Sequence, residues 1–265
     1  MSSSGHLAES GGSLSGKVAV VSGSSQGIGA AIASELASRG ANVVINYPSP
    51  SWKGGAEKVL HDLEVPGIIV EADLSTIDGP KKLVTETVEA FGRLDILINN
   101  AGVIAAAPLE EQTLEQWDAL VNLNGRGVFL LTKATIEHIT RGSGRIVNIV
   151  STSSKHPGIG QTIYAGTKGM VESFTRCWAK ELPPKYGCTV NAVSPGPTST
   201  AGLAEARDAK KEISSFLDSA YSQTPVSARP GAPSEIAYAV AMLCEEKARW
   251  INGTHVVVSG GLVID

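Results

Sequence analysis

The chain has 265 residues, enough for one α/β domain with a sizeable core, and its 42% hydrophobic, 18% charged composition is that of a globular protein. A net charge of −4 with no run of Lys or Arg speaks against nucleic acid as a partner, and no apolar stretch reaches the length of a membrane span. Three cysteines without metal-ligand spacing and five scattered histidines point to no metal site and fit a reduced, cytoplasmic protein.

Residues 1–14 are rich in Ser and Gly and read as a disordered tail ahead of a single domain over 15–265. Lys17-Val18-Ala19-Val20-Val21 is the β-branched run of a buried parallel strand. The turn Ser22-Gly23-Ser24-Ser25-Gln26-Gly27-Ile28-Gly29 follows, and then an Ala-, Ile- and Leu-rich helix that stops at Gly40. Glycines between a strand and a helix let the backbone approach a diphosphate. The helix start then offers free N–H groups and the positive end of its dipole. Further strands are expected at 42–46, 67–71, 94–98, 144–150, 189–193 and 255–258. Between them helices are expected at 54–62, 80–91, 114–140, 163–182 and 233–245. This alternation predicts a doubly wound parallel sheet with helices on both faces, a Rossmann fold, with ligands beyond the carboxyl ends of the strands. Only 197–229 breaks the pattern. One or two helices are expected within 204–220, and a polar insertion of that length reads as a substrate lid at about 197–225.

Chemistry concentrates in Tyr164-Ala165-Gly166-Thr167-Lys168, with Ser151 thirteen residues upstream. Tyr and Lys four apart share one helix face. At ~4–5 Å and an effective dielectric near 20, an ammonium stabilises a phenolate by at most about 3–4 kcal/mol. That would bring a phenol from about 10 to roughly 7–8, near a working pH. A Ser hydroxyl close by can hold a substrate oxygen against that phenol. These parts move a proton on or off oxygen while a hydride moves on carbon. Tyr-x-x-x-Lys alone is common by chance, so its weight comes from the glycine turn upstream.

The pattern Gly23-x-x-x-Gly27-x-Gly29 with Ser151, Tyr164 and Lys168 resembles the short-chain dehydrogenase/reductase family over nearly the whole chain. Other motifs of that family follow in order: Asp73-Leu74, Asn99-Asn100-Ala101-Gly102, Asn124, and Asn191-Ala192-Val193-Ser194-Pro195-Gly196. The resemblance implies seven strands in the order 3-2-1-4-5-6-7. It implies that Tyr164 is the general acid in reduction and the base in oxidation. Lys168 would lower its pKa and bind the nicotinamide ribose, Ser151 would orient the substrate oxygen, and Asn124 would hold a relay water. Gly23, Ser25, Gln26, Gly27, Ile28 and Gly29 would cradle the phosphates of a dinucleotide. Asp73, Leu74, Asn100, Ala101 and Gly102 would line the adenosine side, and Pro195, Gly196, Thr198 and Thr200 the nicotinamide side.

NAD sites place a carboxylate after the second strand. Here that stretch is Asn46-Tyr47-Pro48-Ser49-Pro50-Ser51, without an acid. Asn46, Tyr47 and Ser49 are therefore assigned to a 2′-phosphate, the cofactor to NADP(H), and Lys53 is a candidate for added charge. Gln26 stands where many NADP-using relatives carry Arg or Lys. The Asn46-Tyr47 pair and the Gly260-Gly261 ending look like fungal polyketide and naphthol reductases. The expected activity is NADPH-dependent reduction of a ketone or phenolic tautomer on a hydrophobic small molecule. The alternatives are a 3-oxoacyl-carrier-protein reductase and a dinucleotide-binding protein without turnover. Apolar residues on more than one face of 114–140 and 163–182 (Val128, Phe129, Leu131, Met170, Phe174, Trp178) predict a homotetramer, with a dimer as second choice.

Overall fold

The computed structural model describes residues 12–209 and 211–264. Seven parallel strands form one sheet in the order β3-β2-β1-β4-β5-β6-β7. They are β1 (Val18–Val21), β2 (Asn42–Tyr47), β3 (Gly67–Glu71), β4 (Ile96–Asn99), β5 (Arg145–Ile149), β6 (Thr189–Pro195) and β7 (His255–Val258). Of the helices, α1 (Gly27–Ser38), α2 (Lys53–His61), α3 (Gly79–Phe91), α4 (Leu114–Leu120) and α5 (Val128–Ile136) precede β5. After it come α6 (Thr162–Glu181), α7 (Pro183–Tyr186), α8 (Ala201–Ala209), α9 (Lys211–Ser222) and α10 (Pro233–Cys244).

The strand period of two divides the core into two layers. Ala19, Val21, Val43, Ile45, Ile96, Ile98, Val147 and Ile149 face α1 and α10, where Ile32, Leu36, Ile236 and Val240 meet them. Their neighbours Val18, Val20, Val44, Leu97 and Ile146 face α3, α5 and α6, against Leu83, Leu131, Val171 and Trp178. Continuous β-branched runs are needed because both faces are buried. Strand order reverses between β1 and β4, so the loops after those strands border a crevice at the carboxyl ends.

Three expectations are corrected. The tail reading extends too far, because Leu14 is buried, its N–H donates to the Arg39 carbonyl (2.8 Å), and Ser13 Oγ donates to Glu245 (2.7 Å). Residues 1–11 lie outside the described residues. The helix expected at 114–140 ends at Ile136, and its middle, Val121–Gly127, is a π turn containing Asn124. Gly127 lets this turn close on the loop after β3; a Cβ there would lie 2.5 Å from the Leu74 carbonyl oxygen. Finally, the insertion after β6 holds two helices, α8 and α9, and α8 begins at Ala201, three residues earlier than expected.

Candidate active site

The glycine turn after β1 is built by backbone constraints. Gly23 and Gly27 both have φ of +61°, a conformation that costs side chains with a Cβ. A Cβ on Gly29 would lie 2.3 Å from the Gly23 carbonyl oxygen and 2.5 Å from Asn100 Nδ2, so only glycine fits. Asn100 Nδ2 donates to the carbonyls of Ser22 (2.8 Å) and Gly23 (3.0 Å), which ties the loops after β1 and β4 together across the crevice. Gln26 is the N-cap of α1, but its side chain makes no capping bond, so the first N–H groups of the helix stay open. This is the cradle that a diphosphate fits.

A cavity of about 650 Å³ runs from this turn across the strand ends. Its walls include Gly23, Ser25, Gln26, Gly27, Ile28, Gly29, Asp73, Leu74, Asn100, Ala101 and Gly102 at one end. Ser151, Tyr164, Lys168, Pro195, Gly196, Thr198 and Thr200 stand at the other. These expected residues therefore share one space.

The 2′-phosphate assignments need correction. Asn46 borders the cavity, but its side chain works inside the fold. Oδ1 accepts from Gly23 N (3.0 Å), and Nδ2 donates to the carbonyls of Ala72 (3.0 Å) and Val70 (3.3 Å). Tyr47 is buried, its phenol pushed up by burial and by Glu71, and it is not a wall of the cavity. Ser49 is not one either; its hydroxyl pairs with Ser51 (3.0 Å). Lys53 stands beside Glu57 (3.5 Å), off the cavity. Pro48 and Trp52 line this end instead, residues that the polar-donor reasoning passed over.

Asn46→Asp should therefore act on stability. It would set a carboxylate against two carbonyls in a buried place, and the expected loss is about 2–3 kcal/mol. Protonation restores a donor, so the deficit should shrink toward pH 4. Urea unfolding at neutral and acid pH checks this; an unchanged midpoint at pH 7 would refute the role given to Asn46.

At the far end, Ser151 stands two residues past the end of β5, and its Oγ accepts from Ser153 N (3.1 Å), which orients the hydroxyl. Tyr164 and Lys168 lie one turn apart on α6. Lys168 Nζ donates to the Ile149 carbonyl (3.0 Å) and sits 5.9 Å from the Tyr164 ring centroid. Burial pushes Lys168 down to about 8. The expectation that Lys168 holds the Tyr164 phenol low is not met here. Burial raises the phenol above its ordinary value, and only its hydrogen bond with Ser151 pulls the other way. The ammonium is engaged by Ile149 and weakened by its own desolvation, so burial dominates.

Asn124 is buried beside Lys168, and its amide makes three bonds inside the protein. Oδ1 accepts from Val103 N (2.9 Å), and Nδ2 donates to the Val103 carbonyl (2.9 Å) and Thr167 Oγ1 (3.2 Å). The side chain thus pins the loop after β4. Gly102 fits beneath it because a Cβ would lie 3.2 Å from Asn124 Oδ1 and 3.4 Å from Lys168 Nζ.

The remaining walls are largely apolar: Val103, Ile104, Leu203, Leu217, Leu262 and Val263. Leu262 and Val263 come from the last residues described and have no local signal; only the fold brings them here. The polar residues Ser153, His156 and Gln161 also border this end. Among the described residues, no cluster of His, Cys, Asp or Glu could hold a metal, and no helix is long and apolar enough to cross a membrane.

A family model described as enoyl-(acyl carrier protein) reductase matches residues 23–263. The chain is 39% identical over 254 residues to the short-chain dehydrogenase/reductase FrzI of Cladobotryum sp, covering 95% of this chain and 97% of that one. It is 36% identical over 250 residues to the hydroxynaphthalene reductase arp2 of Aspergillus fumigatus, covering 91% and 90%. A short-chain dehydrogenase from Burkholderia cenocepacia, solved in complex with NADP, superposes with a TM-score of 0.83 at 35% identity, covering 94% and 98%. Identity of this order along nearly the full length of both chains is shared descent: the chain belongs to the short-chain dehydrogenase/reductase family.

Proposed function

We propose that this protein is an NADPH-dependent reductase that converts a carbonyl, or the keto tautomer of a phenol, to an alcohol on a hydrophobic, oxygenated small molecule. One observation carries the reading: a single cavity joins a phosphate-binding glycine turn to a Ser–Tyr–Lys cluster at the mouth of an apolar compartment. The reductases of hydroxynaphthalene type among the relatives support a role in fungal-type secondary metabolism. The neighbour solved with NADP supports the choice of cofactor. So does the absence of a carboxylate on the cavity wall contributed by residues 46–52, where one would repel a 2′-phosphate.

NADPH bound along the glycine turn would supply hydride to the carbonyl carbon. Ser151 donates to the carbonyl oxygen and holds it beside Tyr164. Tyr164 gives its proton to that oxygen as the carbon becomes tetrahedral. A phenol whose pKa is raised by burial keeps its proton at neutral pH, which suits an acid in the reductive direction. Lys168, with a pKa of about 8, is mostly charged at pH 7 and offsets the phenolate left behind. Asn124 holds the loop at Gly102 and Val103 against this group. Helices α8 and α9 close the apolar side through Leu203 and Leu217 and act as the lid. The three cysteines are free thiols, in keeping with a cytoplasmic enzyme. The test is NADPH consumption with a panel of ketones, quinones and hydroxynaphthols, NADH being run in parallel. No turnover with any of them, or a preference for NADH, would defeat the reading.

We also infer a homotetramer. Phe129 and Met170 are exposed beside Phe174, which stacks on Trp178 at 5.1 Å, and Trp117 is half exposed on α4. This apolar face of α4, α5 and α6 fits a second copy. Light scattering at micromolar concentration should give a tetramer, with a dimer the weaker outcome; a monomer would contradict the inference.

A further inference from the structure

We propose that Gln161 donates a hydrogen bond to a second, non-reacting oxygen of the substrate, so that the site prefers uncharged molecules bearing two oxygens over those bearing only the reacting one. This rests on the carbonyl-reductase reading and names the substrate class more narrowly.

The orientation of the amide is set by its neighbours. Gln161 Oε1 accepts from Gly158 N (2.9 Å), so the other end is Nε2, and no hydrogen bond among the described residues occupies it. Reversing the amide would set two donors against each other. The loop itself is held from both sides. Gln161 N donates to the Gly158 carbonyl (3.3 Å), and the Gln161 carbonyl accepts from Ala165 N (2.8 Å). Gly160 has φ of +77° and packs on Ala107, whose N–H donates to the Gly160 carbonyl (3.1 Å). Gln112 Nε2 then donates to the carbonyls of Ala107 (2.8 Å) and Gly160 (3.3 Å), tying the loop to the segment after β4. Gln161 is thus a held donor on the cavity wall, not a surface amide free to turn away.

Its place puts it beside the reacting group. Gln161 is the N-cap of α6, three residues before Tyr164, so the two lie at the same end of that helix. Both side chains border the same cavity, so a molecule held by one oxygen at Tyr164 can present a second oxygen to Gln161. The walls beyond are Ile104, Leu203, Leu217, Leu262 and Val263, which suit an aromatic ring. A neutral carboxamide donor matches a phenolic or carbonyl oxygen.

The test is calorimetric binding of dihydroxynaphthalenes and of naphthol to the protein with NADP, in wild type, Gln161→Met and Gln161→Glu. Wild type should bind at least one dihydroxynaphthalene isomer more tightly than naphthol. In Gln161→Met that preference should fall roughly tenfold, the upper range for one neutral hydrogen bond. Gln161→Glu keeps the acceptor for Gly158 N, so its loop stays held, and it is read with a methoxynaphthol, whose second oxygen can only accept; the preference for that ligand over naphthol should fall as far. Equal affinity for both ligand types in wild type, an unchanged preference in the Met variant, or an undiminished preference for the methoxynaphthol in the Glu variant would each overturn the proposal. Reduction of tetralone and its monohydroxylated isomers is read separately. If the preference is present and depends on Gln161 but no tetralone is reduced, the oxygen contact stands and the carbonyl-reductase reading fails.

Discussion

Tyr164→Phe should lower turnover by at least about a hundredfold while leaving NADPH binding within about twofold. The change removes one hydroxyl and keeps the ring in its place on α6. Proton donation from a positioned group contributes about a hundredfold to ten-thousandfold. No hydrogen bond from the phenol holds a fold element; its contact is with the Ser151 side chain. Folding should therefore be unaffected, and the loss should appear in kcat rather than in the binding of NADPH. Stopped-flow turnover and a fluorescence titration of NADPH separate the two. Turnover of the Phe variant close to wild type would reject Tyr164 as the proton donor.

Lys168→Met should damage catalysis and also change how stability depends on pH. Without the cation nearby, the charge that develops on the Tyr164 oxygen as the proton leaves has no counter-charge in the cavity, and kcat should fall at least about tenfold. The stability effect follows from burial. In the native protein Lys168 has a pKa of about 8, below the ~10.4 of an unfolded Lys. Between those values the unfolded chain carries the extra proton, so this group's contribution to stability rises with pH. The full gap corresponds to roughly 3 kcal/mol. Subtracting the unfolding free energy of Lys168→Met from that of wild type should give a difference that grows by about 2–3 kcal/mol from pH 7 to above pH 10. Urea titrations across that range check it. Parallel curves would mean that Lys168 is not held in a desolvated place.

The fold was legible because its signals are local and repeated. The β-branched run at Val18 to Val21, the turn from Gly23 to Gly29 and the helix after it specify a strand–turn–helix unit without reference to the rest of the chain. The same holds for Ser151, Tyr164 and Lys168, whose residue types and spacing carry their chemistry. What was not legible depends on side-chain direction. Asn46 is an amide at the end of β2, and nothing in the sequence says that its donors are taken up by the Val70 and Ala72 carbonyls. Asn124 likewise spends its amide on Val103, a contact between segments about twenty residues apart. The pKa of Tyr164 turned on desolvation, which no spacing rule contains. Leu262 and Val263 reach the cavity only because β7 lies beside β6 at the edge of the sheet. The π turn at Val121–Gly127 interrupts a helical pattern without changing its apolar period enough to be read.

The central claim is that this chain delivers hydride from NADPH to a carbonyl carbon and a proton, through Tyr164, to its oxygen. The fate of deuterium tests it most directly. NADPH labelled with deuterium at the reactive nicotinamide carbon is incubated with the enzyme and whichever carbonyl substrate is consumed, and the product is analysed by mass spectrometry and NMR. The account predicts one deuterium on the former carbonyl carbon and a solvent-exchangeable hydrogen on its oxygen. An alcohol product without deuterium on that carbon, or a product reduced at a carbon–carbon double bond with the carbonyl intact, would contradict it.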